Sequence, residues 1–241
     1  MAKHLTVGAI AAAALLCAAG ALAADKEGPK MDAAEMMKNV TWLGHDSFRI
    51  AAGGKVIYVD PFELKTAIPA DLVLITHDHY DHCVPEDVAK IQTAATTIVT
   101  DAACAKKLKG SIKVAKPGDK VVVGGIAVEA VHAYNTDKKF HPRADGKLGF
   151  VVTVEGVRIY HAGDTDFIPE MRKIKADIAL LPVSGTYVMT AEQAIEAALA
   201  LKPAIAVPMH YASIVGTDAD AKRFAEGLKG KVEVRVLPKG N

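Results

Sequence analysis

Asp71-Leu72-Val73-Leu74-Ile75-Thr76-His77-Asp78-His79-Tyr80-Asp81-His82 joins two kinds of sequence without a break. Its first half is a nearly continuous apolar run, the pattern of a strand buried on both faces. Its second half sets four potential metal ligands, His77, His79, Asp81 and His82, in the loop at that strand's tip. A turn can aim such groups at one point without helical geometry. Imidazole and carboxylate together suit zinc, manganese or iron and require no thiolate. A buried, hydrogen-bonded ring explains a single histidine, but packing a core requires none of these four groups.

Working outward, strands are expected at residues 41–43, 47–50 and 55–59, with Gly53-Gly54 as a hairpin turn. Residues 85–92 read as a helix and 97–100 as a strand. Asp101 is expected to cap a helix through Leu108 that ends at Gly110. A hairpin across Gly124-Gly125 joins residues 121–123 and 126–131, and a polar loop runs from Ala133 to Gly146. Further strands are expected at 150–154, 157–160, 178–181, 204–207 and 232–236, with helices at 190–201 and 218–228. Thr190 with Gln193 three residues on is a capping-box pattern. Meander-like strands first and strand–helix alternation later suggest sheet packed on sheet with helices outside, one layered domain over residues 40–241.

The N-terminus reads differently. Leu5 to Leu22 is Ala-rich and apolar, and Ala21-Leu22-Ala23 precedes the charged Asp25 and Lys26. That is the pattern of a cleaved signal peptide over residues 1–23, with a retained membrane anchor as the alternative. Residues 24–39 read as a linker or short helix. The protein is therefore expected to be exported, in a periplasm-like compartment. Cleavage leaves 218 residues, enough for one sizeable core, with 28 basic residues facing 28 acidic ones. Net charge near zero gives no reason to expect nucleic acid as a partner, and no later apolar run is long enough to span a bilayer. A small-molecule substrate is the expected partner, with the oligomeric state left open. Only Cys83 and Cys104 remain after processing, too few for a disulfide framework, and they are expected to be free thiols.

Six residues cannot close a site alone, and polar residues follow apolar runs at three later places: His132, Asp164 and His210. At this point the chain resembles the metallo-β-lactamase superfamily, whose central motif is His-x-His-x-Asp-His. The resemblance runs from about Val40 to the C-terminus. Within the superfamily it is similar to the branch with ascorbate-6-phosphate lactonase and the phospholipase D that cleaves N-acyl phosphatidylethanolamine. It is carried by Trp42-Leu43-Gly44-His45-Asp46-Ser47-Phe48, Val59-Asp60-Pro61-Phe62, the histidine run, Tyr160-His161-Ala162-Gly163-Asp164-Thr165 and Pro208-Met209-His210-Tyr211.

The resemblance implies an α+β fold, a four-layer αββα sandwich, and two divalent metal ions, zinc foremost, with manganese or iron as alternatives. His77 and His79 would hold the first ion with a third histidine. Asp81, His82 and His210 would hold the second, and Asp164 would bridge them. Both His132 and His141 qualify as the third histidine. Relatives with Ala-Tyr-Asn, as at 133–135, often lack a histidine just before it, which leaves the histidine of a His-Pro pair such as His141-Pro142 as a substitute, but a strand end holds a ligand more firmly than a loop and favours His132. Asp81 and Asp164 would orient a metal-bridged hydroxide for attack on an ester, lactone, amide or phosphodiester. Asp60 is expected to orient a ligand histidine. His45 is expected to contact substrate or metal, or to serve the turn structurally, and His161 to lie in the core or behind a ligand. A non-catalytic metal-binding or interaction protein on the same fold is the alternative function, and iron oxidoreductase chemistry a third. β-Lactam hydrolysis is not favoured.

Overall fold

The computed structural model describes residues 1–2 and 31–240, and the expected signal segment lies outside the described residues except for Met1 and Ala2. A short helix α1 (Ala33–Met36), capped by the Asp32 side chain, and a 3-10 turn bury Met36 and Met37 against the core. The first sheet then follows: β1 (Val40–Gly44), β2 (Ser47–Ala52), β3 (Lys55–Val59), β4 (Leu72–Ile75), helix α2 (Pro85–Ile91), β5 (Thr97–Thr100), helix α3 (Ala102–Ala105) and β6 (Ser111–Val114). The second contains β7 (Lys120–Val123), β8 (Ile126–His132), β9 (Leu148–Val154), β10 (Val157–His161), β11 (Ile178–Pro182), helix α4 (Ala191–Leu201), β12 (Ile205–Met209), helix α5 (Asp218–Leu228) and β13 (Glu233–Val234).

Strand order is β1-β2-β3-β4-β5-β6 in one sheet and β13-β12-β11-β10-β9-β8-β7 in the other. Each sheet begins as an antiparallel meander and turns parallel, at β3–β4 and at β10–β11. The parallel pairs need crossovers, which place α2 and α3 outside the first sheet and α4 and α5 outside the second. Alternation on β4 shows the layering. Leu72 and Leu74 join Phe48, Ile57, Phe150 and Val152 between the sheets, while Val73 and Ile75 join Val88, Ile91 and Cys104 beneath the helices. The result is the expected α+β four-layer sandwich. Phe150 is wholly buried between the sheets, so truncating it to alanine costs about 3–5 kcal/mol.

Three expectations are corrected. Helix α3 is a single turn that ends at Ala105, because the chain must turn back through Gly110, at φ 108°, to lay β6 beside β5. Strand β6 itself was not expected, since a largely exposed edge strand carries no apolar run. The final strand is two residues, Glu233–Val234, paired with β12 only. The capping box predicted at Thr190 and Gln193 is formed.

Cys83 and Cys104 are disulfide-bonded rather than free. The sequence gives their number but not that α3 folds back on the loop after His82, which brings their Cα atoms to 6.1 Å.

Candidate metal centre

The candidate ligands converge where strand ends from both sheets meet. His77 and His82 leave the tip of β4, Asp164 follows β10, His210 follows β12, and the β1–β2 turn brings His45 and Asp46 from the other side. Backbone strain accompanies this convergence. His45, Asp60 and His210 have φ of 52°, 44° and 59°, a region that L-residues occupy only when surrounding contacts hold them there. The His45 carbonyl is one such tie, accepting from Trp42 Nε1 at 2.8 Å and from the His210 amide at 3.0 Å. Trp42 also stacks on Tyr211, so the β1–β2 turn and the loop after β12 are locked as one unit. Gly163 lets the Asp164 loop pass close by: at φ 63°, a Cβ there would come within 2.5 Å of the Leu148 carbonyl oxygen.

Asp164 lies at the centre. Its Oδ2 is 3.3 Å from His141 Nε2 and 3.9 Å from His77 Nε2, while its Oδ1 is 3.5 Å from His82 Nε2 and 3.4 Å from His210 Nε2. One carboxylate thus divides between two histidine groups. The potential ligand atoms of His77, His79 and His141 lie within 4.8 Å of one another, and so do those of His77, His82 and Asp164. A third set, His45, Asp46, His82 and His210, is equally close.

Hydrogen bonds fix which face each ring presents. Thr76 Oγ1 donates to Asp60 Oδ2 at 2.6 Å, so it accepts from His77 Nδ1 at 2.9 Å and leaves His77 Nε2 toward the centre. His82 Nδ1 donates to the same Asp60 oxygen at 2.8 Å. His141 Nδ1 donates to Asn135 Oδ1 at 3.1 Å, and His210 Nδ1 pairs with Ser184 Oγ at 2.8 Å. His79 turns Nδ1 inward, 3.0 Å from His77 Nε2, with Lys147 Nζ 3.3 Å from its Nε2. His161 Nε2 donates to the Asp46 carbonyl, tying the Asp164 loop to the β1–β2 turn.

Electrostatics divide the rings. Burial, reinforced by His82, holds His77 well below the ordinary histidine value, and burial with Lys147 brings His79 down to about 4. Burial pulls on His82 and His210 too, but the carboxylates, led by Asp164, outweigh it. His82 rises well above its ordinary value and His210 to about 9. Burial likewise opposes ionisation of Asp164, yet His210 and His82 hold it well below the carboxylate range.

The donor set fits a metal. His82 Nε2, His141 Nε2, His210 Nε2 and Asp164 Oδ1 are buried, have no hydrogen-bond partner, and face the centre. Buried polar atoms are almost always satisfied, and unsatisfied imidazole and carboxylate donors converging on one point are what a divalent ion requires.

The sequence expectations divide accordingly. His77, His79, His82, Asp164 and His210 come together, and Asp60 stands behind His82 and Thr76. His132 is corrected: it ends β8 beside Tyr134 and lines a separate cavity of about 320 Å³ with Arg158 and Glu170. His141 joins the cluster instead, because the 133–146 loop folds back and Asn135 accepts from both its amide and its ring. Asp81 sits at the edge, 3.8 Å from His82 Nε2, with its carboxylate 3.1 Å from His45 Nε2. Tyr211 is buried, and Tyr187 packs edge-on against Phe140. Lys147 and Ser184, which touch the rings of His79 and His210, are not singled out by the sequence. No local pattern marks them, since each is defined by a contact across the fold.

Residues 39–210 match the family described as the Beta-lactamase superfamily domain. The chain is 36% identical over 214 residues to the UPF0173 metal-dependent hydrolase of Thermoplasma acidophilum, covering 82% of this chain and 93% of that one. Among solved structures it is similar to a protein from Parabacteroides distasonis assigned as a metal-dependent hydrolase, with TM-score 0.75, 37% identity, and coverage of 82% of this chain and 91% of that one. It is also similar to a metallo hydrolase from Ignicoccus hospitalis, with TM-score 0.68, 26% identity, and coverage of 84% and 95%. A shared architecture, a chain matched over nearly the whole length of its relatives, and a histidine–aspartate centre agree: the chain belongs to the UPF0173 metal-dependent hydrolase family of the metallo-β-lactamase superfamily.

Proposed function

We propose that this protein is an exported hydrolase that holds two divalent ions, zinc foremost, and cleaves an ester, lactone, amide or phosphodiester in a small-molecule substrate. The single observation that carries the reading is the division of Asp164, Oδ2 toward His77 and His141 and Oδ1 toward His82 and His210. His77, His79 and His141 would hold one ion, and His82 and His210, with Asp81 at the edge, the other. Bound there, such ions supply a water of lowered pKa and a Lewis acid for the scissile oxygen.

The chain's own groups do the rest. Asp60 holds His82 directly and His77 through Thr76, so Nδ1 of each ring is engaged and Nε2 is the nitrogen left to bind an ion, which on His82 takes the place of a proton. His45 holds Asp81 at the rim, where the carboxylate can orient the attacking water. Phe140 and Tyr80 are exposed, and each adjoins a candidate ligand in the chain, which suits a substrate with an apolar portion. The sequence blocks that resemble the lactonase and phospholipase branch favour lactone or phosphodiester over β-lactam. Export is supported by the Cys83–Cys104 disulfide, since such bonds persist in oxidising compartments.

The test is a panel of ester, lactone, amide and phosphodiester substrates with metal-stripped and reconstituted protein, beside Asp81→Ala and His79→Ala. Restored turnover in wild type and a loss of 100-fold or more in both variants is expected. Equal activity with and without metal would overturn the reading, as would efficient β-lactam turnover for the substrate assignment.

A further inference from the structure

We propose that Asp46 is a ligand of the second metal position, completing it together with His82, His210 and Asp164. This rests on the metal-centre reading above and adds a carboxylate to it from the β1–β2 turn.

Asp46 is fully buried, and neither of its side-chain oxygens has a hydrogen-bond partner. Among the described residues no lysine or arginine is within ion-pairing distance, and the nearest cationic atom is His82 Nδ1 at 3.8 Å. That nitrogen already serves Asp60, so it cannot satisfy Asp46 as well. The neighbouring acceptor, Asp164 Oδ1, is also buried and without a hydrogen bond. Two carboxylates turned into one dry space need either a shared proton or a cation between them, and a cation can also engage the histidine nitrogens around them. The nitrogens that would share such a cation are in place: potential ligand atoms of His45, Asp46, His82 and His210 fall within 4.8 Å of one another.

The local backbone is built to hold Asp46 there. His45 has a positive φ, the Asp46 carbonyl accepts from His161 Nε2 at 2.8 Å, and the His45 carbonyl accepts from the His210 amide. Each bond ties the turn to a loop that carries another ligand. The two positions then differ in chemistry. The first is built from three imidazoles, whereas the second is richer in oxygen donors and so more accepting of manganese(II).

The experiment compares chelator-stripped wild type with Asp46→Asn and Asp46→Ser, measuring zinc(II) and manganese(II) stoichiometry and affinity by titration. Thermal unfolding is followed with and without metal. The expected result is one ion fewer per chain, or affinity weaker by 10-fold or more at one position only, in both variants. In chelator both variants should melt at or above wild type, because the cost of burying a carboxyl group beside Asp164 is gone. Two ions bound with wild-type affinity and a wild-type metal-induced rise in Tm would overturn the proposal. So would variants that no longer melt cooperatively in chelator, which would mark Asp46 as structural. If wild type itself binds neither metal, the underlying metal-centre reading fails, an outcome distinct from failure at Asp46.

Discussion

Asp60 Oδ2 accepts a hydrogen bond from His82 Nδ1 at 2.8 Å, with both side chains excluded from solvent. The same carboxylate takes the Thr76 amide at 2.7 Å and the Thr76 hydroxyl at 2.6 Å, and that hydroxyl in turn takes His77 Nδ1. One aspartate, itself at positive φ, therefore sets the tautomer and tilt of a histidine in each proposed metal position. Asp60→Asn keeps the shape but replaces one acceptor with a donor, which cannot take the His82 proton. Metal affinity should fall about 10–100-fold, with hydrolysis falling in parallel. Competition titration against a chromophoric chelator checks this, and unchanged affinity would leave Asp60 without an orienting role.

His141 and His132 give opposite expectations. His141 Nε2 faces Asp164 at 3.3 Å, whereas His132 packs by Tyr134 and lines a separate cavity. His141→Ala should lose at least one bound ion and most activity, and His132→Ala should keep both. Inductively coupled plasma mass spectrometry on the two proteins decides it.

The disulfide closes a loop across a separation of 21 residues and begins at the residue after His82. Chain-entropy reasoning gives it roughly 3 kcal/mol. The Cys83→Ser/Cys104→Ser double variant should melt markedly lower than wild type. Native protein should show no titratable thiol until it is unfolded in a dithiol reductant. Two reactive thiols in the untreated native protein would contradict the bond.

Metal binding should strengthen as pH rises from about neutral. In the metal-free protein burial opposes protonation of His210, but Asp164 and Asp46 raise it from 6.5 to about 9. Its contribution to metal-free stability is full below 6.5 and is lost as pH climbs through 9. A metal must displace that proton, so the metal-induced rise in Tm should grow between pH 6.5 and 9. His79 behaves oppositely. Held at about 4 by burial and Lys147, it contributes stability above 6.5 that is lost as pH falls toward 4. Calorimetry across this range, with and without zinc, tests both signs.

Much of this was legible in the chain. Leu72 to Ile75 reads as a two-faced buried strand because both faces are covered, one by the opposing sheet and one by α2. The ligand run and Asp164 are legible because chemistry crowds them at strand tips. The unread parts depend on long-range contacts. His141 is brought to the centre in place of His132 by a loop that folds back through Asn135, and Cys83 meets Cys104 because parallel pairing of β4 with β5 sets the loop after His82 beside α3. Asp46 looks like an ordinary turn residue until the two sheets close over it.

The most direct test of the central claim is the number of divalent ions bound at equilibrium by chelator-stripped protein, measured for wild type and Asp164→Asn. Two ions per chain in wild type, with affinity lost at both positions in the variant, is the predicted result, because each oxygen of Asp164 faces a different histidine group. Wild type that binds no metal, or an Asp164→Asn protein that binds two ions as tightly as wild type, would contradict the account.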